Sequence, residues 1–140
     1  MLLGVGAASL LAAGVVAGLG LYEHSETPEF CGSCHVMGQE HRDFLHNGAH
    51  RRFKCVDCHL PNDSLPIHLG WKGYEGIRDV FEFYGGVYPE TVAITEHGKK
   101  TVRSNCVRCH EQMVSGLEIP PQRSCVDCHR RHTHKKTGGY

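Results

Sequence analysis

Four Cys-x-x-Cys-His motifs take up all eight cysteines of this 140-residue chain: Cys31-Gly-Ser-Cys34-His35, Cys55-Val-Asp-Cys58-His59, Cys106-Val-Arg-Cys109-His110 and Cys125-Val-Asp-Cys128-His129. Each cysteine pair can form thioethers to the two vinyl groups of one haem, and the adjacent histidine can reach its iron. The expectation is four covalently bound haem c groups around which the chain must fold. Two zinc sites of four cysteines each would explain the pairs, and so would a disulfide framework, but neither needs a histidine after every pair. With 12 histidines in the chain, chance puts one at all four places about once in 20,000, which decides for haem.

Apolar and charged residues make up 40% and 21% of the chain, but Leu2 to Leu21 holds much of the apolar share. The rest is polar and poor in aromatics, and it buries too little side-chain area for a core of its own, so porphyrin faces must supply one. The expected fold is mostly α with much irregular structure: one N-terminal transmembrane helix and a compact tetrahaem c-type cytochrome domain organised around its haems. Residues 1–22 form the anchor and 23–140 the haem domain. A formal net charge of zero gives no sign of a nucleic-acid partner.

Leu2 to Leu21 is a run of 20 uncharged residues, long enough as a helix for a hydrocarbon core of roughly 30 Å. A cleaved signal peptide is the alternative, but no Lys or Arg precedes the run and it exceeds the usual apolar region of such peptides. A retained anchor in the bacterial cytoplasmic membrane is expected. Bacterial c-type haem is attached outside the cytoplasm, so the residues after Tyr22 should be periplasmic, beginning with Glu23, Glu26 and Glu29. Gly14-Val-Val-Ala-Gly18 also fits the small-residue pattern of packed membrane helices, although Gly and Ala are abundant throughout this segment. Nine residues separate Leu21 from Cys31, which keeps the first haem near the membrane, where a lipid-soluble donor can meet it.

The motifs fall into two pairs. Twenty residues lie between Cys34 and Cys55, 47 between Cys58 and Cys106, and 15 between Cys109 and Cys125. The long insert carries the one long helical pattern, over about 64–84: Ser64 as cap, Pro66 in the first turn, apolar residues at helical spacing from Ile67 to Tyr84, and a stop at Gly85-Gly86. Gly70, Gly73 and Gly76 leave one side smooth, against which a macrocycle or another backbone could lie. Pro120-Pro121 predicts a turn, and Lys135 to Tyr140 a loose tail.

Four haems have eight axial positions, and the motif histidines can fill four. His24, His41, His46, His50, His68, His97, His132 and His134 are further candidates, and spacing does not choose among them. Met37, two residues after His35, is either an axial thioether or a gap-filling side chain.

One anchor, then Cys-x-x-Cys-His-x-Met, then three further motifs at these intervals: in this the chain resembles the tetrahaem membrane quinol dehydrogenases of the NapC/NirT type, most of all their short members that serve cytochrome c nitrite reductases. The resemblance implies that Met37 ligates haem one in place of His35. It also implies His50 as distal ligand of haem three and His134 of haem two, with His132 the alternative to His134. His59, His110 and His129 are then the proximal ligands of haems two, three and four. Haem four has no matching distal histidine, as expected where a partner subunit supplies a lysine.

The resemblance further implies a quinol site at Lys72 and Asp79. Seven residues is close to two helical turns, so the two lie on one face. A lysine can hydrogen-bond a quinol oxygen and a carboxylate can take a proton; read without the resemblance, the two are a solvated charge pair beside Glu75 and Glu82. The implied activity is oxidation of quinol, menaquinol in particular, from the membrane pool, with electrons passed to a pentahaem-type nitrite reductase catalytic subunit in the periplasm. The alternatives are a quinol-oxidising donor to a nitrate or N-oxide reductase and a soluble tetrahaem shuttle.

Overall fold

The computed structural model describes residues 2–46, 50–89, 92–120, 122–132 and 134. Its regular structure is all helical among the described residues, as expected for this fold class: α1 Leu2–His24, α2 Pro28–Gly32, α3 Gly38–His46, α4 Cys55–His59, α5 Leu65–Gly85 and α6 Glu96–Val114, with 3-10 turns at His35–Met37, Cys125–Asp127 and Arg130–His132. The expected loose tail and Pro121 of the Pro-Pro turn lie outside the described residues.

Helix α1 extends to His24, slightly beyond the uncharged run, and is long and apolar enough to cross a membrane. Its described side chains are exposed to the end of the run, and nothing lies within 4 Å of the open sides of Gly14 and Gly18. A tight turn follows, closed by Glu26 N–H to Glu23 O and Thr27 N–H to His24 O, both 3.1 Å. Thr27 then caps α2, its hydroxyl accepting from Phe30 N–H at 3.2 Å, with Pro28 in the first turn. Motif one thus begins within a few residues of the anchor.

The second and fourth motifs share the sequence Cys-Val-Asp-Cys and share a local device. Lys54 N–H donates to Asp57 at 2.8 Å, and Ser124 N–H to Asp127 at 2.8 Å. In each case the aspartate between the cysteines folds back on the residue before the first cysteine and starts the turn that presents the pair.

Helix α5 starts at the expected Ser64-Leu-Pro66, although the Ser64 side chain makes no cap hydrogen bond. It stops at Gly86, whose φ of 65° is the left-handed conformation that favours glycine. Its apolar residues face outward: Tyr74, Ile77, Val80, Phe81 and Tyr84 are all exposed, and His68 is its buried residue.

The expectation of a single long helix in the haem domain needs correction, because α6 is also long. It carries no apolar stripe, and its buried line is Gly98, Thr101 and Asn105, small and polar residues that hydrophobic periodicity does not register. Thr95 caps it, accepting from Gly98 N–H at 3.0 Å. Asn105 binds α6 to α4 by donating to Cys58 O at 3.0 Å and Leu60 O at 2.8 Å, and Asn62 donates to Leu60 O at 2.8 Å beside it. Arg103 holds the loop before motif four by donating to Pro120 O at 3.0 Å and Arg123 O at 2.6 Å.

Val56 and Leu60 are the buried hydrophobic residues among those described. The chain exposes 11067 Å², against about 7,200 Å² for a folded chain of its mass. The polypeptide is a frame of three long and three short helices among the described residues, tied by polar contacts, with its surface spread for other groups to cover.

Candidate haem centres and groove

The four motifs adjoin in sequence order. The Cys31 and Cys55 thiols are hydrogen-bonded, which lowers Cys31 to about 7 and raises Cys55. Asn105, next to Cys106, is bonded to Cys58 O, and Cys58 and Cys109 are close enough for their charges to interact. Burial raises Cys106 to about 11, and a hydrogen bond to Cys125 adds to the effect. The cysteines therefore form an unbroken row from motif one to motif four, and none is in a disulfide. Among the described residues no three His, Cys, Asp or Glu side chains gather as a metal-ion site.

Two histidine pairs stand where axial ligands would. The rings of His59 and His134 are 5.8 Å apart between centroids, and those of His50 and His110 are 6.0 Å apart. Two imidazoles on opposite sides of one iron, each bound at roughly 2 Å, have centroids about 6 Å apart, so both pairs fit haem. In both pairs one histidine engages its Nδ1: His134 with Glu40 O at 3.1 Å, and His50 with His132 Nδ1 at 3.1 Å. That leaves Nε2 of both for a metal. Burial, reinforced by the charge of His134, pushes His59 down to about 4, keeping it in the neutral form that binds metals. His110 sits at a break in α6, with φ −112° and ψ 16°, which turns its ring from the helix direction. His129 contacts His132 within one turn, at 6.3 Å between centroids.

Motif one differs. His35 lies in an aromatic cluster, with its ring centroid 5.2 Å from Phe83 and 6.1 Å from Tyr88. Met37 closes the 3-10 turn, its N–H donating to Cys34 O at 3.0 Å. Within the motif Gly32 admits His41, since a Cβ there would come 2.5 Å from its ring. His41 Nε2 is buried without a hydrogen-bond partner among the described residues.

Helix α5 runs alongside this motif. Lys72 is close enough for its charge to act on Cys31, and Phe83 further along touches His35. On the face of α5 is a shallow, open groove of about 530 Å³ lined by residues of this helix alone, Leu69, Lys72, Gly73, Gly76, Ile77, Val80 and Phe81. Gly73 and Gly76 form its smooth floor, and Lys72 brings the one charged side chain to its lining. Asp79 does not join it: this carboxylate is exposed and accepts from Arg78 at 2.9 Å. Lys72 bonds instead to Glu26 at 2.5 Å. In the sequence Glu26 stood out only as an early periplasmic residue and His68 only as one of eight axial candidates, neither as a partner of Lys72. The available signal was the i, i+4 spacing of His68 and Lys72 on α5, together with a carboxylate directly after the anchor.

Residues 1–112 match the NapC/NirT cytochrome c family, N-terminal region. The chain belongs to that family. It is therefore a cytochrome c with covalently bound haem, anchored in the membrane; motif four lies beyond the matched residues. It is 29% identical over 125 residues to the cytochrome c-type protein NrfH of Wolinella succinogenes, covering 80% of this chain and 71% of that protein. It is 27% identical over 146 residues to NapC of Escherichia coli K12, covering 81% of this chain and 70% of that protein. A crystal structure of the cytochrome c nitrite reductase NrfHA complex bound to the HQNO inhibitor contains a chain of the same fold, with a TM-score of 0.79, 26% identity, and coverage of 98% of this chain and 93% of that one.

Proposed function

We propose that this chain is a membrane-anchored tetrahaem cytochrome c that oxidises menaquinol and passes the electrons to a periplasmic nitrite reductase catalytic subunit. The observation that carries the reading is the apolar groove on α5, with Lys72 in its lining, beside motif one and close to the end of the anchor. A lipid-soluble quinol has an apolar body and polar oxygens. The groove matches the body with Leu69, Ile77, Val80 and Phe81, and Lys72 Nζ can donate to an oxygen. The kinship with the small subunit of a nitrite reductase complex that binds HQNO supports both the site and the partner.

Cys31 and Cys34 hold haem one, Cys55 and Cys58 haem two, Cys106 and Cys109 haem three, and Cys125 and Cys128 haem four. Met37 would bind the iron of the first, His59 and His134 that of the second, His110 and His50 that of the third, and His129 that of the fourth, which a lysine of the partner subunit would complete. When bound, haem supplies one-electron couples at iron. Quinol oxidation releases two electrons and two protons: Lys72 positions the quinol in the groove, and Asp79, exposed beside Arg78 just outside the lining, relays the two protons to water as they are released in turn. Residues 1–22 anchor the chain and 23–140 lie in the periplasm.

The test is turnover of a menaquinol analogue in proteoliposomes with the nitrite reductase subunit present. Lys72→Ala and Asp79→Asn should each slow electron entry, the latter by about 10²–10⁴-fold where proton transfer is limiting, while dithionite still reduces all four haems. Normal quinol turnover in both variants would move the site away from α5. Reduction of a nitrate or N-oxide reductase in preference to the nitrite enzyme would favour the alternative suggested by the NapC and TorC relatives.

A further inference from the structure

Glu26 is a heavily engaged carboxylate outside the haem motifs. It lies in the turn after the anchor and is 8% exposed. Oε1 takes Lys72 Nζ at 2.5 Å and His68 Nε2 at 3.2 Å, and Lys54 Nζ is 3.8 Å from Oε2. Tyr22, at the end of α1, is close enough for the charge of the same carboxylate to act on it. The Tyr22 ring also lies 4.6 Å under Lys72 Nζ, a cation–π contact. Beyond, His68 Nδ1 reaches Pro61 O at 3.1 Å, and His68 is itself 7% exposed.

We propose that Glu26 is the positioning residue of the quinol groove: with Tyr22 it holds the Lys72 ammonium at the membrane end of α5, pointed so that a free N–H meets the quinol oxygen. This rests on the reading of the groove as the quinol site. A lysine on a four-carbon stem has many rotamers, and fixing one before the ligand arrives removes an ordering cost from binding. Two of the three ammonium protons are engaged or shielded by Glu26 and the Tyr22 ring, and the third is left for the ligand. The cluster also joins the anchor to α5, so the groove opens at a set height relative to the membrane. Cys31 feels the opposed charges of Lys72 and Glu26, so the positioned ammonium is next to the first haem attachment.

The experiment uses the full-length, haem-loaded protein in proteoliposomes and compares Glu26→Gln, Glu26→Asp, Lys72→Met and the double variant Glu26→Gln/Lys72→Met. Equilibrium binding of HQNO and the separate KM and kcat for a menaquinol analogue are the readouts, with haem staining as the check on assembly. Glu26→Gln should weaken HQNO binding and raise KM about tenfold, the scale of one charge-assisted hydrogen bond, with a smaller change in kcat. Glu26→Asp, whose carboxylate stops one methylene short, should fall between it and the parent. In the Lys72→Met background Glu26→Gln should add nothing, because its effect passes through Lys72. Equal losses from Glu26→Gln with and without Lys72 would overturn the proposal, assigning Glu26 a purely architectural role. So would unchanged binding in Glu26→Gln while Lys72→Met loses it. Unchanged HQNO binding in Lys72→Met would overturn the quinol-groove reading itself.

Discussion

Single residues decide how each iron site differs from its neighbours. Met37 and His35 stand two residues apart, and the His35 ring is engaged by Phe83 and Tyr88. Met37→His should convert haem one to a low-spin centre and impair quinol oxidation, with four haems still attached; electron paramagnetic resonance of the membrane-bound protein reads the change, and an unaltered high-spin signal would make Met37 a packing residue. The C-terminal histidines can be told apart in the same way. His134 faces His59 across about the width of an iron site, whereas His132 is hydrogen-bonded to His50. His134→Ala should leave haem two five-coordinate and high-spin. His132→Ala should keep every low-spin haem and only loosen His50, seen as a small shift in the haem three potential.

Among the helices, α5 and α6 are of similar length yet arise from different information. Helix α5 has local start and stop signals and an apolar pattern, and its apolar residues turn outward, where a groove forms. Helix α6 has its polar buried line instead, and Asn105 on that line is 6% exposed and donates to two carbonyls of the α4 segment. Asn105→Ala should leave those buried carbonyls short of donors, at a cost of about 1–3 kcal/mol. A lower melting temperature of the holoprotein, followed by circular dichroism, is the expected sign; an unchanged transition would mean that α4 and α6 are held together by the haems alone.

For the whole molecule, the anchor and the haem domain meet through Glu26. Burial raises its carboxyl, but hydrogen bonds from Lys72 and His68 outweigh this and hold it below the usual carboxylate value. A carboxylate with a folded-state pKa below its unfolded one stabilises the fold fully above the ordinary carboxylate range and loses that contribution as pH falls through the lowered value. The facing groups, Lys54, Lys72, His68 and Tyr22, supply no second carboxylate that would titrate with it. Acid should therefore release α5 from the anchor end before it detaches any haem. Hydrogen exchange of α5 amides, scanned downward from pH 6, should show protection lost at low pH in the parent, while Glu26→Gln should be less protected across the whole range and lack that step.

Covalent binding of haem, the apolar anchor helix and the bounds of α5 were legible in the sequence because each depends on neighbours a few residues away: cysteine spacing, an uncharged run, a proline in the first turn, a glycine able to adopt positive φ. Helix α6 was not, because a small polar buried line has no hydrophobic period. Which histidine faces which was available only through family likeness, and the structure brings His50 to His110 and His59 to His134 from distant parts of the chain. Glu26 and Lys72 are 46 residues apart, and the i, i+4 spacing of His68 and Lys72 shows that those two share a face but not which carboxylate meets them. Such pairings are decided when turns and helices close long loops around shared surfaces, and local spacing carries no record of which loops close. Loop closure gave Lys72 to Glu26, whereas Asp79 pairs with its sequence neighbour Arg78 and stays outside the groove.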